Sequence, residues 1–180
     1  MGLDMYLDRK VYVGMDWDGK KEDKKVKITK TSGEVIEFGT KKLKELVFEA
    51  GYWRKANHIH KWFVENVQDG EDNCNEYDVS IDQLKELLSL VNKVIKGSVL
   101  VKGKISNGWT YKNGKKEPIM EDGKYIKNSK IAELLLPCEE GFFFGATEYD
   151  QYYYDSLVET KKILEEAIKD GGYFVYRSSW

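Results

Sequence analysis

Two stretches of helical period do most to fix what this chain can become. After Ser80, the residues Leu84, Leu87, Leu88, Val91, Val94 and Ile95 fall on one helical stripe, and Ser80 with Gln83 three positions on is the pattern of a capping box. After Thr147, the residues Tyr153, Ser156, Leu157, Thr160, Ile163, Leu164, Ala167 and Ile168 do the same, until Gly171-Gly172 ends the run. A helix with one apolar stripe must bury it against another layer, and the rest of the chain supplies that layer in strand period. Leu3, Met5 and Leu7 alternate with Asp4, Tyr6 and Asp8, and Val11 to Val13 extend the run. Val26 to Lys30 and Glu34 to Phe38 flank Thr31-Ser32-Gly33 as a hairpin, and Glu76 to Val79 and Tyr173 to Tyr176 read as short strands. Asp16 to Lys25, charged and punctuated by glycine, reads as a loop. The pattern predicts an α+β fold with helices packed on a mainly antiparallel sheet.

Other segments are locally ambiguous or elaborate this plan. Leu43 to Ala50 fits a helical stripe through Leu43, Leu46, Val47 and Ala50, or an alternation through Leu46, Phe48 and Ala50; the strand is favoured ahead of Gly51. From Val99 to Ile126, β runs are divided by Asn107-Gly108, Asn113-Gly114 and Asp122-Gly123, which predicts a β-meander over 98–128 inserted between helices. Ser129 to Leu136 is a short helix stopped by Pro137. Gly141-Phe142-Phe143-Phe144-Gly145 reads as a buried strand, and Thr147 as the cap of the last helix, with Asp150 at its third position. A chain of 180 residues holds one good core and is short for two, so 1–180 is expected to be a single domain.

Composition removes several classes of function. A formal charge of −2 lacks the footprint of duplex nucleic-acid binding. Cys74 and Cys138 have neither disulfide-framework nor zinc-finger spacing and are expected to be buried thiols in a reducing cytoplasm. No run reaches the length of a signal peptide or a membrane span, so the expected protein is soluble and touches no membrane. No phosphate loop, GxSxG or HExxH pattern occurs, and no catalytic residue, metal ligand or cofactor is assigned.

The richest candidate surface is Tyr52 to Phe63, which holds both histidines, two of the five tryptophans and three cations. Read as a helix over Trp53 to Val67, it places Trp53, Ala56, His60, Phe63, Val64 and Val67 on one face and Arg54, His58, Lys61 and Glu65 on the other. Trp62 then falls beside Lys55 and His58 on the polar side. That projection predicts an exposed aromatic flanked by cations, suited to stacking a base and pairing a phosphate. His60, in the apolar stripe, is expected to be a hydrogen-bonded core histidine. On a helix the two imidazoles diverge, which disfavours a joint metal site. A second cluster lies at Glu148 to Tyr154: Glu148 and Asp150 are read as dipole-stabilising acids of the first helical turn, and Tyr149, Tyr152 and Tyr154 as lining a pocket or a subunit contact.

Several blocks together resemble an uncharacterised family of small proteins encoded by bacteriophages and prophages. They are Met1-Gly2-Leu3-Asp4-Met5-Tyr6-Leu7, Tyr52-Trp53-Arg54-Lys55-Ala56-Asn57 with Ile59-His60 and Trp62-Phe63-Val64, Leu135-Leu136-Pro137, Gly141-Phe142-Phe143-Phe144-Gly145 with Tyr149-Asp150, and Ser178-Ser179-Trp180. The resemblance implies a role in the cytoplasm of an infected bacterial host, including interference with host immunity, and brings no catalytic residue with it. Combined with the aromatic and cationic residues, it leads to an expected ligand-capturing protein, a homo-oligomer that sequesters a small nucleotide-like signal through Arg54, Lys55, His58, Trp62, Tyr149, Tyr152 and Tyr154. The alternatives are a protein–protein inhibitor of a host factor and a phosphodiesterase-like enzyme centred on His58.

Overall fold

A computed structural model describes residues 2–13, 25–39, 44–141 and 143–180. The expected loop across 16–24 lies outside the described residues, as does Phe142. The central sheet has four antiparallel strands in the order β4-β1-β8-β5, formed by β1 (Asp4–Tyr12), β4 (Glu45–Arg54), β5 (Tyr77–Val79) and β8 (Tyr173–Ser179). Alternation from Leu3 into β1 puts Leu3, Met5 and Leu7 in the core, with Trp53, Phe174 and Tyr176 of the neighbouring strands beside them. The opposite face carries Tyr6, flanked by Tyr52 and covered by the Arg177 guanidinium at 4.0 Å from its ring centroid. Strands β2 (Lys25–Thr29) and β3 (Val35–Gly39) form the expected hairpin as a separate two-stranded sheet.

Helices α1 (Asn57–Asn66), α2 (Ile81–Gly97), α3 (Lys130–Leu135) and α4 (Gln151–Asp170) complete the α+β architecture. The Ser80–Gln83 capping box forms in full, with Ser80 Oγ accepting from the Gln83 amide and the Gln83 side chain accepting from the Ser80 amide. Phe63 of α1 stacks on Tyr176 at 3.9 Å between centroids, and the Trp53 indole N–H donates to Thr160 Oγ1 of α4 at 2.9 Å. A Cβ at Gly51 would stand 2.4 Å from Ile163 Cγ2, so the bare backbone there is what lets α4 sit directly on β4.

Four expectations are corrected. The helix begins at Asn57, not Trp53: Tyr52, Trp53 and Arg54 continue β4, because pairing to β1 runs on to Asp4↔Arg54. The 98–128 segment is one long hairpin of β6 (Leu100–Lys112) and β7 (Lys115–Ile126), not a meander. Only Asn113-Gly114, both at positive φ, makes a turn; Asn107-Gly108 sits at a bulge, and Gly123 pairs with Gly103 inside the ladder. Gly141 and residues 143–145 form no strand, with Phe144 buried against the His60 ring edge at 5.2 Å. Finally, Cys74 is exposed, although Cys138 is partly buried.

Candidate ligand-binding cleft

The junction of β4 and α1 forms the cationic wall. Lys55 takes φ +58°, a left-handed conformation that costs a residue with a Cβ roughly 1–2 kcal/mol, and its amide donates to the Leu3 carbonyl at 2.8 Å. This turn leaves Arg54 and Lys55 exposed while the chain enters α1. Gly145, at φ +96°, lies against it: a Cβ there would be 3.0 Å from Lys55 Cβ. Asn57 fastens the adjoining segment. Its buried Nδ2 donates to the carbonyls of Phe144 at 3.2 Å and Ala146 at 2.8 Å, and its Oδ1 accepts from the Glu139 amide at 3.2 Å.

Helix α4 forms the second wall. Its N-cap is Asp150, not Thr147: Asp150 Oδ1 accepts from the amides of Tyr152 at 2.8 Å and Tyr153 at 3.2 Å. Residues 149 and 150 are held extended along β7, by the Tyr125↔Asp150 bridge and the Ile126 amide on the Tyr149 carbonyl at 2.9 Å, so the helix cannot begin earlier. Burial raises the Asp150 carboxyl pKa, against the opposing pull of the two amides. Glu148 precedes the helix, and neither acid belongs to its first turn.

His58 is wedged between these walls, 4% exposed, with its ring centroid 4.3 Å from that of Tyr153 and Nε2 at 3.0 Å from Ser156 Oγ. Ser156 Oγ donates its single proton to the Tyr153 carbonyl at 2.7 Å, so His58 Nε2–H must be the donor to Ser156. Burial pushes the imidazole pKa down to about 3, which keeps the ring neutral. This order of donors is the reverse of a serine activated by a histidine base, where the serine proton faces an imidazole lone pair.

The bulge of β6 supplies the third wall through Ser106, Asn107, Gly108 and Trp109. The hairpin root is stitched to α4 by Tyr152 Oη donating to Glu121 Oε1 at 2.7 Å and by the Lys124 amide donating to Gln151 Oε1 at 3.1 Å. Between the walls lies a cleft of about 790 Å³, within the roughly 300–1,000 Å³ typical of small-molecule sites. It is polarised, with Arg54 and Lys55 on one wall and Glu148, Asp155 and Glu159 contributed by the 148–159 stretch.

Arg54, Lys55, His58 and Tyr152 thus line one cleft; Trp62, Tyr149 and Tyr154 do not. Trp62 is 5% exposed and packs edge-on to Phe63 at 5.3 Å, which overturns the expected open surface, and His58 is likewise buried. The reason is that α1 is short and enclosed: six of its ten residues are buried, and its buried Asn57 and His60 are hydrogen-bonded to other parts of the fold. Tyr149 is half-buried, accepting at Oη from the Cys138 amide at 3.1 Å, with its phenol pKa raised by burial. His60 is fully buried as expected, with Nδ1 at 2.8 Å from Tyr176 Oη and Nε2 at 3.1 Å from Asp72 Oδ2. The two histidines therefore serve separate networks, and the described residues contain no group of three or more side chains placed to hold a metal.

Asn57, Trp109, Asp155 and Glu159 were not signalled as site residues by the sequence. Asn57 stood inside the noted Tyr52–Asn57 block and Trp109 directly after a glycine dipeptide, but only the fold brings them together. The sequence matches no protein-family model, no curated protein and no solved structure. No helix among the described residues is long and apolar enough to cross a membrane.

Proposed function

We propose that the protein captures a small nucleotide-like ligand in this cleft and holds it without turnover. The observation that carries the reading is the convergence of Arg54 and Lys55 with Tyr152 and Trp109 around a ligand-sized space, since cations and aromatic faces are what a phosphorylated base needs. The donor order at His58 and Ser156 favours holding over hydrolysis and sets the phosphodiesterase-like alternative last. With the phage resemblance, the proposed setting is the cytoplasm of an infected bacterium, and the proposed effect is sequestration of a nucleotide signal of host defence. To test it, the protein is mixed with cyclic and linear nucleotides and ADP-ribose-type signals, depletion from solution is measured, and the ligand is recovered after denaturation. Intact recovery is the expected result; recovery of a cleaved product replaces capture with catalysis.

A second reading, inhibition of a host protein, draws on the far end of the hairpin, where Tyr111 is 74% exposed and Trp109, Ile119 and Met120 about half exposed. A host protein that co-purifies only when Tyr111 and Met120 are intact would favour it. We also propose a homo-oligomer, supported by exposed Val47 and Phe48 on the edge strand β4. Sedimentation of a 20.9 kDa species alone at micromolar concentration rejects it.

A further inference from the structure

We infer that His58 is the specificity-determining acceptor of the cleft: its Nδ1 takes a hydrogen bond from an N–H of an amino-bearing heterocycle, with Asp155 and Glu159 accepting beside it. The inference rests on the capture reading above and names the part of the ligand that the α4 wall recognises.

Protein groups fix the tautomer. Ser156 spends its proton on the Tyr153 carbonyl, so Nε2 carries the hydrogen of the neutral imidazole and Nδ1 carries the lone pair. Among the described residues Nδ1 has no hydrogen-bond partner, although the side chain is more than nine-tenths buried and lines the cleft. A ligand N–H placed there would match that lone pair. The Tyr153 ring packs against the imidazole at 4.3 Å, tilted by 43°, and with the Ser156 hydrogen bond it fixes the orientation of the ring.

The surrounding charges point the same way. Asp155 and Glu159 are four residues apart on α4, hence on one helical face, and neither has an ion-pair partner among the described residues. A phosphate or carbonyl oxygen turned toward this wall would meet acceptors only. The anionic end of a ligand is therefore directed to Arg54 and Lys55, and the donor edge to His58, Asp155 and Glu159. Adenine and cytosine each offer an exocyclic amine as the sole donor of that edge, and dimethylation of the amine leaves none there.

The test is titration calorimetry on the full chain with the nucleoside monophosphates of adenine and cytosine and with the N,N-dimethylated counterpart of each. At least one amino nucleotide is expected to bind, and its dimethylated counterpart to bind at least about tenfold more weakly, the loss of one matched acceptor. In His58→Phe, checked for a cooperative melt, the preference is expected to shrink to within about threefold. If that variant does not fold, the comparison on the unaltered protein decides alone. A dimethylated ligand bound within about threefold of its parent overturns the inference and leaves capture standing. Failure of every nucleotide to bind overturns the capture reading and this inference with it.

Discussion

His58 gives the fold a directional sensitivity to acid. Its ordinary pKa of 6.5 applies in the unfolded chain, whereas burial brings the folded value down to about 3. Above the unfolded value neither state is protonated there and the group costs nothing. Between the two values only the unfolded chain gains the proton, so stability falls as pH falls, by roughly 1.4 kcal/mol per pH unit. His58→Gln removes this titration. The variant is expected to be less stable than the parent near neutral pH, with the gap narrowing steadily in melts taken toward about pH 4; parallel curves would mean that His58 titrates normally. Lys55 offers a separation of stability from binding. Glycine at this positive φ relieves backbone strain while raising unfolded-state entropy, so Lys55→Gly is expected to change unfolding free energy by less than about 1 kcal/mol. The same change removes a charge from the cleft and is expected to weaken capture about tenfold or more, read by calorimetry. His60 was legible in the sequence because it repeats with Trp53, Ala56 and Phe63 in an apolar stripe. His58 and Trp62 were not, because periodicity assigns a polar face and cannot tell that another element covers it.

Local signals and tertiary ones part company at the level of elements. The Ser80 cap was readable because both of its bonds lie within four residues. The start of α4 was displaced by three residues because Thr147 and Asp150 are both competent caps, and the choice between them is made by β7, which holds 149 and 150 extended. The three glycine dipeptides of the 98–128 segment look alike locally. Cross-strand partners alone decide which one turns, since Gly123 is needed opposite Gly103, where a Cβ would stand 2.4 Å from Ile105 Cδ1. Asp150→Ala is expected to destabilise the protein by about 1 kcal/mol, the usual worth of an N-cap, as a shift of the urea midpoint. Thr160→Val keeps the shape of the α4–β4 contact but orphans the Trp53 indole N–H, and about 1–3 kcal/mol is expected to be lost. A loss below about 0.5 kcal/mol would place a water where the hydroxyl was.

At the scale of the whole molecule, the cleft exists because two parts of the fold meet at the start of α4. One is the sheet, whose edge strand delivers Arg54 and Lys55; the other is the β6–β7 hairpin, whose root is bonded to Gln151 and Tyr152. The antiparallel α+β plan was legible from alternation and stripes, since each element announces its buried face. The cleft was not, because its walls come from residues about 50 positions apart in the chain that share no local pattern. The distal hairpin therefore belongs to the site and not to the core. Its residues 107–119 are exposed or half-buried throughout where burial is described, while Ser106 and Met120 face each other across the ladder. Replacing 107–119 by a two-residue Asn-Gly turn between Ser106 and Met120 preserves the register, the bonds from Glu121 and Lys124 to α4, and the bond from Ile126 to Tyr149 just ahead of its cap. The shortened chain is expected to unfold cooperatively within about 1 kcal/mol of the parent, because no core side chain is removed. It is also expected to lose ligand capture, because Asn107, Gly108 and Trp109 are gone from the third wall. Full capture by the shortened, folded protein would show that Arg54, Lys55 and α4 suffice and that the hairpin serves another partner.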